Sequence, residues 1–473
     1  MSFFLLFPVC SWLVVVAAVA ASVSGLMLGY EMGLTSGVLL QLRGLLSLSC
    51  QEQELLVSSQ LFGALLICLA GGHILDRYGR RCSLLLSAAL VVGGTILHIA
   101  ITSFIALTLG RVIVGMGTAL SGTAACLYIA EISPRERRGL LVTLYELMLV
   151  VGVMLGFSCS YAFATLPHGW AYTFGLVIPP ALLQFSVVVF LPPSPRFLVE
   201  LRDIQGGLKE ESEHSFLELF STKANLRSRL LTGVALVFLQ QATGQPNILS
   251  YASPLLRSVG FNSDAAATLA STGFGVVKVV ATIPAVLLVD RVGPKSFLCA
   301  GAVAMGMSLV VLGALTLQSH THLSSLCKSQ TTPNHTITLW GGTTNLEVSS
   351  TLKLASLISL LVFVAAFSIS LGPMVYVVLS EIFPMGIRGR AVSVVSAVNW
   401  ATNLLISMTF LTITGVSLVV TYFVLLVFVI LRIPETKGRT LEEISKELAS
   451  VKTDTKMERP NRERIEVAQR WTV

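Results

Sequence analysis

Charge is scarce in this sequence of 473 residues: only 12% of the residues are charged, whereas 54% are hydrophobic and the mean hydropathy is +0.80. Soluble domains carry about 25% charged residues, so the composition excludes an ordinary soluble protein. The formal net charge of +7 lies in short basic clusters beside apolar runs, which indicates membrane topology and not nucleic-acid binding. The sequence predicts an all-α protein embedded in the lipid bilayer.

Other signatures are also missing. No Walker Gly-Lys-Ser/Thr sequence is present, which argues against an ATP-driven pump, and no selectivity-filter repeat is present, which argues against a channel. The eight cysteines are scattered without metal or redox spacing. We therefore expect no metal, no cofactor and no enzymatic activity.

Long apolar runs dominate what is present. A transmembrane helix needs about 20 mostly apolar residues, and twelve such runs are predicted. They lie at about 11–40, 55–75, 83–102, 105–130, 139–163, 170–191, 230–257, 265–289, 296–317, 353–380, 390–414 and 417–433. The last run is short, because some sixteen residues rising 1.5 Å each reach only about 24 Å.

The runs divide the chain into four parts. Residues 1–191 form a first half of six helices, 192–229 a polar cytoplasmic linker, 230–433 a second half of six helices, and 434–473 a cytoplasmic tail. By the positive-inside rule, the basic clusters place both termini in the cytoplasm. The polar loop at about 318–352 then lies outside, and its Asn334-His335-Thr336 sequon predicts N-glycosylation.

Three short charged motifs each occur twice in the same order, once in each half. Asp76-Arg77-Tyr78-Gly79-Arg80-Arg81 corresponds to Asp290-Arg291-Val292-Gly293-Pro294-Lys295, the segment from Glu131 to Gly139 to that from Glu381 to Gly389, and Pro193-Ser194-Pro195-Arg196 to Pro434-Glu435-Thr436-Lys437. Ordered repetition of this kind is typical of transporters built from two parallel halves.

Polar residues persist at bilayer depth, where a charge at a helix centre costs about 2.5 to 3.5 kcal/mol. The charged positions are Glu31, Arg111, Glu146 and Lys278, and they either line a wet cavity or pair for packing at helix interfaces. The seventh run contains Gln240-Gln241-Ala242-Thr243-Gly244-Gln245-Pro246-Asn247, whose Gly-x-Pro sequence predicts a broken helix. The eleventh adds Asn399, Trp400 and Asn403. Amides that donate and accept, beside an indole, suit a polyol.

At these residues the chain resembles the sugar porter branch of the major facilitator superfamily, the facilitative glucose transporters. The resemblance also covers Pro192-Pro193-Ser194-Pro195-Arg196-Phe197 and Pro434-Glu435-Thr436-Lys437-Gly438. It implies twelve transmembrane helices in two pseudo-symmetric halves of six. It also implies that Gln240, Gln241, Asn247 and Asn403 contact a hexose, with Trp400 beside it.

The same resemblance assigns further positions. Glu146, Lys278 and Tyr376 occupy substrate-side positions where many relatives carry Gln, Asn and Trp, and the tenth helix also lacks one familiar proline. The cytoplasmic gate would comprise Arg80, Glu131, Arg138, Glu381, Arg388 and Glu435. Glu31 and Arg111 are the proton-coupling candidates, because similar proton-coupled porters carry an Asp at the first of these positions.

The expected function is therefore hexose transport by alternating access, with a monomeric transport unit in the plasma membrane or endomembranes. Facilitative transport and proton symport both remain open. Two alternatives also remain: a membrane sugar sensor or scaffold that does not transport, and a truncated isoform with impaired transport, because the last run is short and the tenth helix is altered.

Overall fold

The protein is described from a computed structural model. The structure describes residues 12–133, 138–192, 226–258, 261, 263–292, 294–318, 350–383, 388–409 and 425–430. All regular secondary structure within these residues is helical. Nine helical segments there are long and apolar enough to cross a membrane, as the composition predicts.

The helices follow the predicted apolar runs. They are α1 Trp12–Leu46, α2 Cys50–Ala100, α3 Phe104–Ile132, α4 Arg138–Ala162, α5 Gly169–Gly175, α6 Ile178–Phe190, α7 Leu226–Ala242, α8 Gln245–Ser250, α9 Ala252–Ser258, α10 Asp264–Val292, α11 Pro294–Gln318, α12 Ser350–Ile369, α13 Leu371–Ile382 and α14 Arg388–Thr409. A last helical stretch covers 425–430, inside the predicted run at 417–433.

Element α2 contains two of the predicted spans, Cys50–Gly71 and Arg77–Ala100. The helical angles are interrupted at Gly79, where φ is 80° and ψ is 166°. A side chain at this φ would be strained, so glycine fits the position. The repeated motif at 76–81 thus forms the tight connection between the second and third spans.

Three predicted spans are broken before a proline. In each, the first helical part ends four residues ahead of that proline. The pairs are Gly175 and Pro179, Ala242 and Pro246, and Ile369 and Pro373. Proline lacks an N–H, and its ring clashes with the carbonyl four residues earlier. The Gly-x-Pro sequence predicts the break in the seventh span. The spans predicted at about 170–191 and 353–380 are present, and the structure adds a break in each for the same physical reason.

Small residues set the packing of α1 on α4. Every fourth residue of α1 from Gly25 to Gly37 is glycine, and a Cβ added at any of them would collide with α4. Small residues at this spacing let transmembrane helices approach closely. Two further pairs, α4 with α10 and α2 with α14, join helices of the N-terminal part to helices of the C-terminal part.

Corresponding basic residues of the duplicated motif make corresponding contacts. Arg81 donates to the carbonyl oxygens of Val188 at 3.2 Å and Val189 at 2.5 Å, near the end of α6. Lys295 donates to the carbonyl oxygen of Ile430 at 3.1 Å, in the last helical stretch. Each therefore tethers the sixth helix of its own half.

Candidate functional site

A cavity lies between helices of the two halves. The N-terminal part contributes α1, α2 and α3 to its lining, and the C-terminal part contributes α8 and α14. The lining residues are Leu28, Met32, Thr35, Val57, Gln60, Leu61, Ala64, Arg111, Thr118, Pro246, Ser250, Trp400 and Asn403. Of the predicted substrate residues, Trp400 and Asn403 therefore face this cavity directly.

The break in the seventh span places the predicted glutamines at the boundary between α7 and α8. Gly244 has a φ of 74°, a backbone conformation that glycine adopts without strain. Gln240, Gln241 and Asn247 lie on either side of it and are buried. They are not among the lining residues of the cavity, which reaches this region through Pro246 and Ser250.

Each of the two glutamines already uses its amide nitrogen. Gln240 donates to the carbonyl oxygen of Leu371 at 2.7 Å, and Gln241 donates to the side-chain oxygen of Asn399. Asn399 does not line the cavity itself, but it directly precedes Trp400 on α14, which does.

Several buried amide atoms around this region have no hydrogen-bond partner among the described residues. Three are acceptors and two are donors. They are Oε1 of Gln240, Oε1 of Gln241, Oδ1 of Asn403, Nε2 of Gln245 and Nδ2 of Asn247. A buried polar atom left unpaired costs about 1 to 3 kcal/mol, so these atoms are candidates for ligand contacts.

Trp400 supplies an apolar surface to the lining of the cavity. It packs against the buried residues Ala64, Ile67, Ala119 and Leu120 of α2 and α3. It therefore links the C-terminal helix α14 to the N-terminal helices, and its partly buried indole borders the polar groups of the cavity. An indole provides both a flat apolar face and one N–H donor.

Glu31 and Arg111, which the sequence predicts at bilayer depth, form no direct ion pair within 4.0 Å in the part of the chain that the structure describes. Arg111 donates to Oγ1 of Thr35 at 3.0 Å and to Oε1 of Gln60 at 2.9 Å. Neither carboxylate oxygen of the buried Glu31 has a hydrogen-bond partner among the described residues. Thr35 connects the two indirectly, because its hydroxyl also donates to the backbone carbonyl of Glu31 at 2.7 Å.

The second charged pair lies between α4 and α10. Glu146 and Lys278 face each other closely enough to interact electrostatically, and Lys278 is buried. Neither is among the residues that line the cavity. Tyr376 belongs to α13, but its side chain lies outside the described residues.

Of the predicted cytoplasmic gate, the structure describes the side chains of two residues, Arg80 and Glu131, both in the N-terminal half of the chain. Arg80 and Glu131 form an ion pair at 3.1 Å, with each side chain only 7% exposed, and Arg80 also donates to the carbonyl oxygen of Leu75 at 3.4 Å. The second half has Pro294 at the position of Arg80. Arg138, Glu381 and Arg388 have described backbone only, and Glu435 and the glycosylation candidate Asn334 lie outside the described residues.

A hydroxyl contact also joins the two halves next to the cavity, one residue after the lining residue Thr35. The Oγ atoms of Ser36 on α1 and Ser253 on α9 are 3.2 Å apart. Ser253 in turn donates to Oγ of Ser271 on α10 at 3.1 Å. All three serines are fully buried, so these contacts are shielded from water.

Sequence reasoning missed several polar residues of the cavity. Thr35, Gln60, Thr118 and Ser250 all line it, whereas the predicted site comprises only charged residues, amides, Trp400 and Tyr376. The available signal was a polar side chain within an apolar run, which is most evident at Gln60 after Ser58 and Ser59.

Comparisons with known proteins agree with this architecture. The model of the family described as "Sugar (and other) transporter" matches residues 16–209 and 200–448. This chain belongs to the sugar transporter family. Its relatives include solute carrier family 2, facilitated glucose transporter member 12, from Danio rerio, which is 50% identical over 92% of this chain and 88% of that protein.

Further relatives follow the order that the sequence predicts. The human member 12 protein is 45% identical over 93% of this chain and 86% of its own length. A member 10 protein from Xenopus laevis is 38% identical over 94% of both chains. The segments Gly29-Tyr30-Glu31 and Gly244-Gln245-Pro246-Asn247, together with the loop that carries Asn334, predict a likeness to member 12 first and member 10 next. These identities confirm that order.

Solved structures confirm the major facilitator fold. The major facilitator superfamily proton:xylose symporter XylE, bound to 6-bromo-6-deoxy-D-glucose, superposes with a TM-score of 0.70 at 26% identity, over 92% of this chain and 99% of that one. The inward open conformation of the same transporter from E. coli gives 0.69 at 27% identity, over 91% and 98%. The prediction of a polytopic helical transporter is therefore confirmed.

Proposed function

We propose that this protein transports a hexose resembling D-glucose across the membrane by alternating access. The observation that carries the proposal is the set of buried, unpartnered amide atoms at the seventh and eleventh spans, on Gln240, Gln241, Gln245, Asn247 and Asn403. A sugar hydroxyl both donates and accepts a hydrogen bond, so a polyol can satisfy donor and acceptor atoms at once.

The site also has the mixed character that a sugar requires. Trp400 supplies an apolar face, while Asn403, Gln60 and Thr118 supply polar groups in the same cavity. Sugar rings have apolar C–H faces and polar edges, and indoles combine well with the former. The facilitated glucose transporters among the relatives point to the same class of substrate.

Alternating access would use the two halves as its moving units, residues 1–191 and 230–433, joined by the cytoplasmic linker 192–229. The ion pair between Arg80 and Glu131 is the described part of the cytoplasmic gate, and the Ser36–Ser253 contact joins the two halves next to the cavity. In the same proposal the tail at 434–473 and both termini are cytoplasmic, the loop at about 318–352 is extracellular and glycosylated, and one chain forms the transport unit.

Counterflow of radiolabelled glucose into proteoliposomes tests the proposal. The full chain is reconstituted into vesicles loaded with unlabelled glucose, and we expect saturable, transient accumulation of label that excess outside glucose suppresses. L-glucose provides the control for leakage. Saturable binding of D-glucose without flux would instead support the sensor or scaffold, and the absence of both would reject a hexose site.

A second candidate is proton-coupled transport, which one observation favours. Glu31 is buried with both carboxylate oxygens unpartnered among the described residues, while Arg111 is engaged by Thr35 and Gln60. A carboxyl group in this position could be neutral in one state and paired with Arg111 in another. The similar xylose transporter is itself a proton symporter.

A further inference from the structure

Two opposite charges face each other between the two halves of the bundle. Glu146 is the one charged residue of α4 after its first residue, Arg138. Lys278 is the one charged residue of α10 between Asp264 and Asp290. These helices belong to different halves and pack against each other. Each therefore brings a single charge into the middle of the contact, and the two charges have opposite signs.

The two charges interact without a direct bond. Lys278 is only 6% exposed, and it interacts electrostatically with Glu146. Within the described residues, no nitrogen–oxygen distance of 4.0 Å or less joins them. A charge at bilayer depth is costly when it has no partner, and opposite charges attract most strongly at short range in a medium of low polarity. The attraction therefore favours a conformation in which Glu146 and Lys278 meet directly.

Two close contacts show how α4 and α10 run past each other. A Cβ added at Gly275 would lie 2.6 Å from Cα of Met154, so the two backbones approach closely at this level. Farther along, Ser160 of α4 and Thr268 of α10 both have atoms within 3.2 Å of a Cβ added at Gly37. Higher residue numbers on α4 thus meet lower numbers on α10, so the two helices are antiparallel.

Glu146 and Lys278 lie on the same side of the Met154–Gly275 contact. At a rise of 1.5 Å per residue, Glu146 is about 12 Å from Met154 along α4, and Lys278 is about 4.5 Å from Gly275 along α10. The remaining offset of about 7.5 Å is within the combined reach of a lysine and a glutamate side chain. This side leads to the start of α4 at Arg138, which belongs to a basic cluster predicted to be cytoplasmic.

A different contact between the halves lies on the other side. Ser36 of α1 adjoins Gly37, the residue that packs against both helices beyond that level. The Oγ atoms of Ser36 and Ser253 of α9 are 3.2 Å apart. The hydroxyl contact and the charge pair thus flank the Met154–Gly275 contact. Rocking of one half about that contact would bring one pair together and draw the other apart.

We propose that Glu146 and Lys278 form a direct ion pair between the halves when the cytoplasmic end closes, and that they separate when it opens. The halves rock about the level at which Met154 meets Gly275, and closing brings the start of α4 towards α10. The proposal rests on the proposed function, because alternating access supplies the motion. Neither charged residue lines the cavity, so both are positioning residues that act on the conformational balance.

Disulfide formation in the variant Ser36→Cys, Ser253→Cys reports the conformation without any sugar. Iodine can oxidise the two thiols to a disulfide only while the halves meet as they do here, so the initial rate follows the population of this conformation. Peptide mass spectrometry identifies the linked pair among the native cysteines, and Ser36→Cys alone is the control for background. Each charge variant of the full chain is made in this background and checked for a single species by size-exclusion chromatography.

Neutral and like-charged variants should raise the rate. In Glu146→Gln, Lys278→Met the attraction is gone, so we expect disulfide formation about fivefold faster than with the native charges. In Lys278→Glu two carboxylates repel each other, and the rate should rise further. The exchanged pair Glu146→Lys, Lys278→Glu retains the attraction and should return the rate to within about twofold of native. Glu52→Gln, whose carboxylate accepts from Ser49 at the start of α2, is the control for loss of a charge and should leave the rate unchanged.

The outcomes separate the inference from the function on which it rests. Equal rates in the native, neutral and like-charged proteins would overturn the ion pair. So would a neutral variant whose glucose affinity falls about tenfold while its disulfide rate stays native, because the charges would then serve the sugar. If Lys278→Glu does not fold, the neutral and exchanged pairs still decide, since only the neutral one should differ from native. Absence of saturable glucose counterflow in the wild type, with the expected order of disulfide rates, would reject the proposed function and retain the ion pair.

Discussion

At the scale of single residues, the amides near the seventh span are distinguished by where their unpaired atoms lie. Buried unpaired polar atoms are rare in folded proteins because each one costs stability. Gln184 on α6 also has an unpartnered Oε1, so an unpaired atom alone does not define a site. Gln241 differs because its partner Asn399 adjoins Trp400, which lines the cavity.

We predict that Gln241→Ala weakens glucose binding by about 1 to 3 kcal/mol, because a sugar hydroxyl loses its amide partner. The protein should stay folded, since no buried charge loses its partner. Half-saturation of glucose uptake measures the effect. Gln184→Ala is the matched control, because it removes a buried glutamine with an unpartnered oxygen elsewhere in the bundle. Equal affinities of Gln241→Ala and the wild type would exclude Gln241 from the site.

At the scale of helices, the ion pair between Arg80 and Glu131 connects the turn between the second and third spans to the end of α3. Both side chains are nearly inaccessible to water. Breaking such a pair leaves a buried charge unpaired, at a cost of about 3 to 5 kcal/mol. The second half cannot form the same bond, because Pro294 occupies the corresponding position, so this ion pair has no counterpart there.

Arg80→Met should therefore lower the apparent melting temperature in detergent and shift the protein away from the conformation in which the cytoplasmic end is closed. The double variant Arg80→Met, Glu131→Gln should regain part of the lost stability, since the unpaired carboxylate is gone. Glucose affinity should change little. Labelling of the exposed thiol of Cys82 by a maleimide reports the conformational shift. If the double variant loses as much stability as the two single variants, Arg80→Met and Glu131→Gln, lose together, the pair is not coupled.

At the scale of the whole molecule, the contacts of Arg111 bear on whether transport is linked to protons. Arg111 is held by Thr35 and Gln60 in this structure, which leaves Glu31 without a direct ionic partner at 4.0 Å or less among the described residues. A permanent structural pair between Glu31 and Arg111 is therefore not what this conformation contains. A pair that forms in another conformation remains compatible with coupling.

Under proton coupling, an imposed inward proton gradient should drive glucose above its external concentration in proteoliposomes. Glu31→Gln should then support only downhill flux, because the amide cannot take up and release a proton. A protonophore provides the control by collapsing the gradient. If the wild type never accumulates glucose under any imposed gradient, the protein is a uniporter and Glu31 is structural.

The amino-acid sequence by itself determined the membrane class, the apolar runs and the doubled motifs. These depend on composition and order alone. It also predicted the break at Gly244, because Gly-x-Pro acts on its immediate neighbours. Proline acts equally locally before Pro179 and Pro373, so those breaks could have been predicted from the same rule.

Only the tertiary structure decided which polar groups meet. Gln240 and Leu371 are 131 positions apart, and Arg111 reaches Gln60 from 51 positions away; no local pattern specifies such pairs. The sequence identified Glu31 and Arg111 as natural partners by charge, whereas packing placed Thr35 and Gln60 within reach of the guanidinium. Partner choice in the bilayer depends on which side chains the helix interfaces bring within about 3 Å, and helix packing sets that distance.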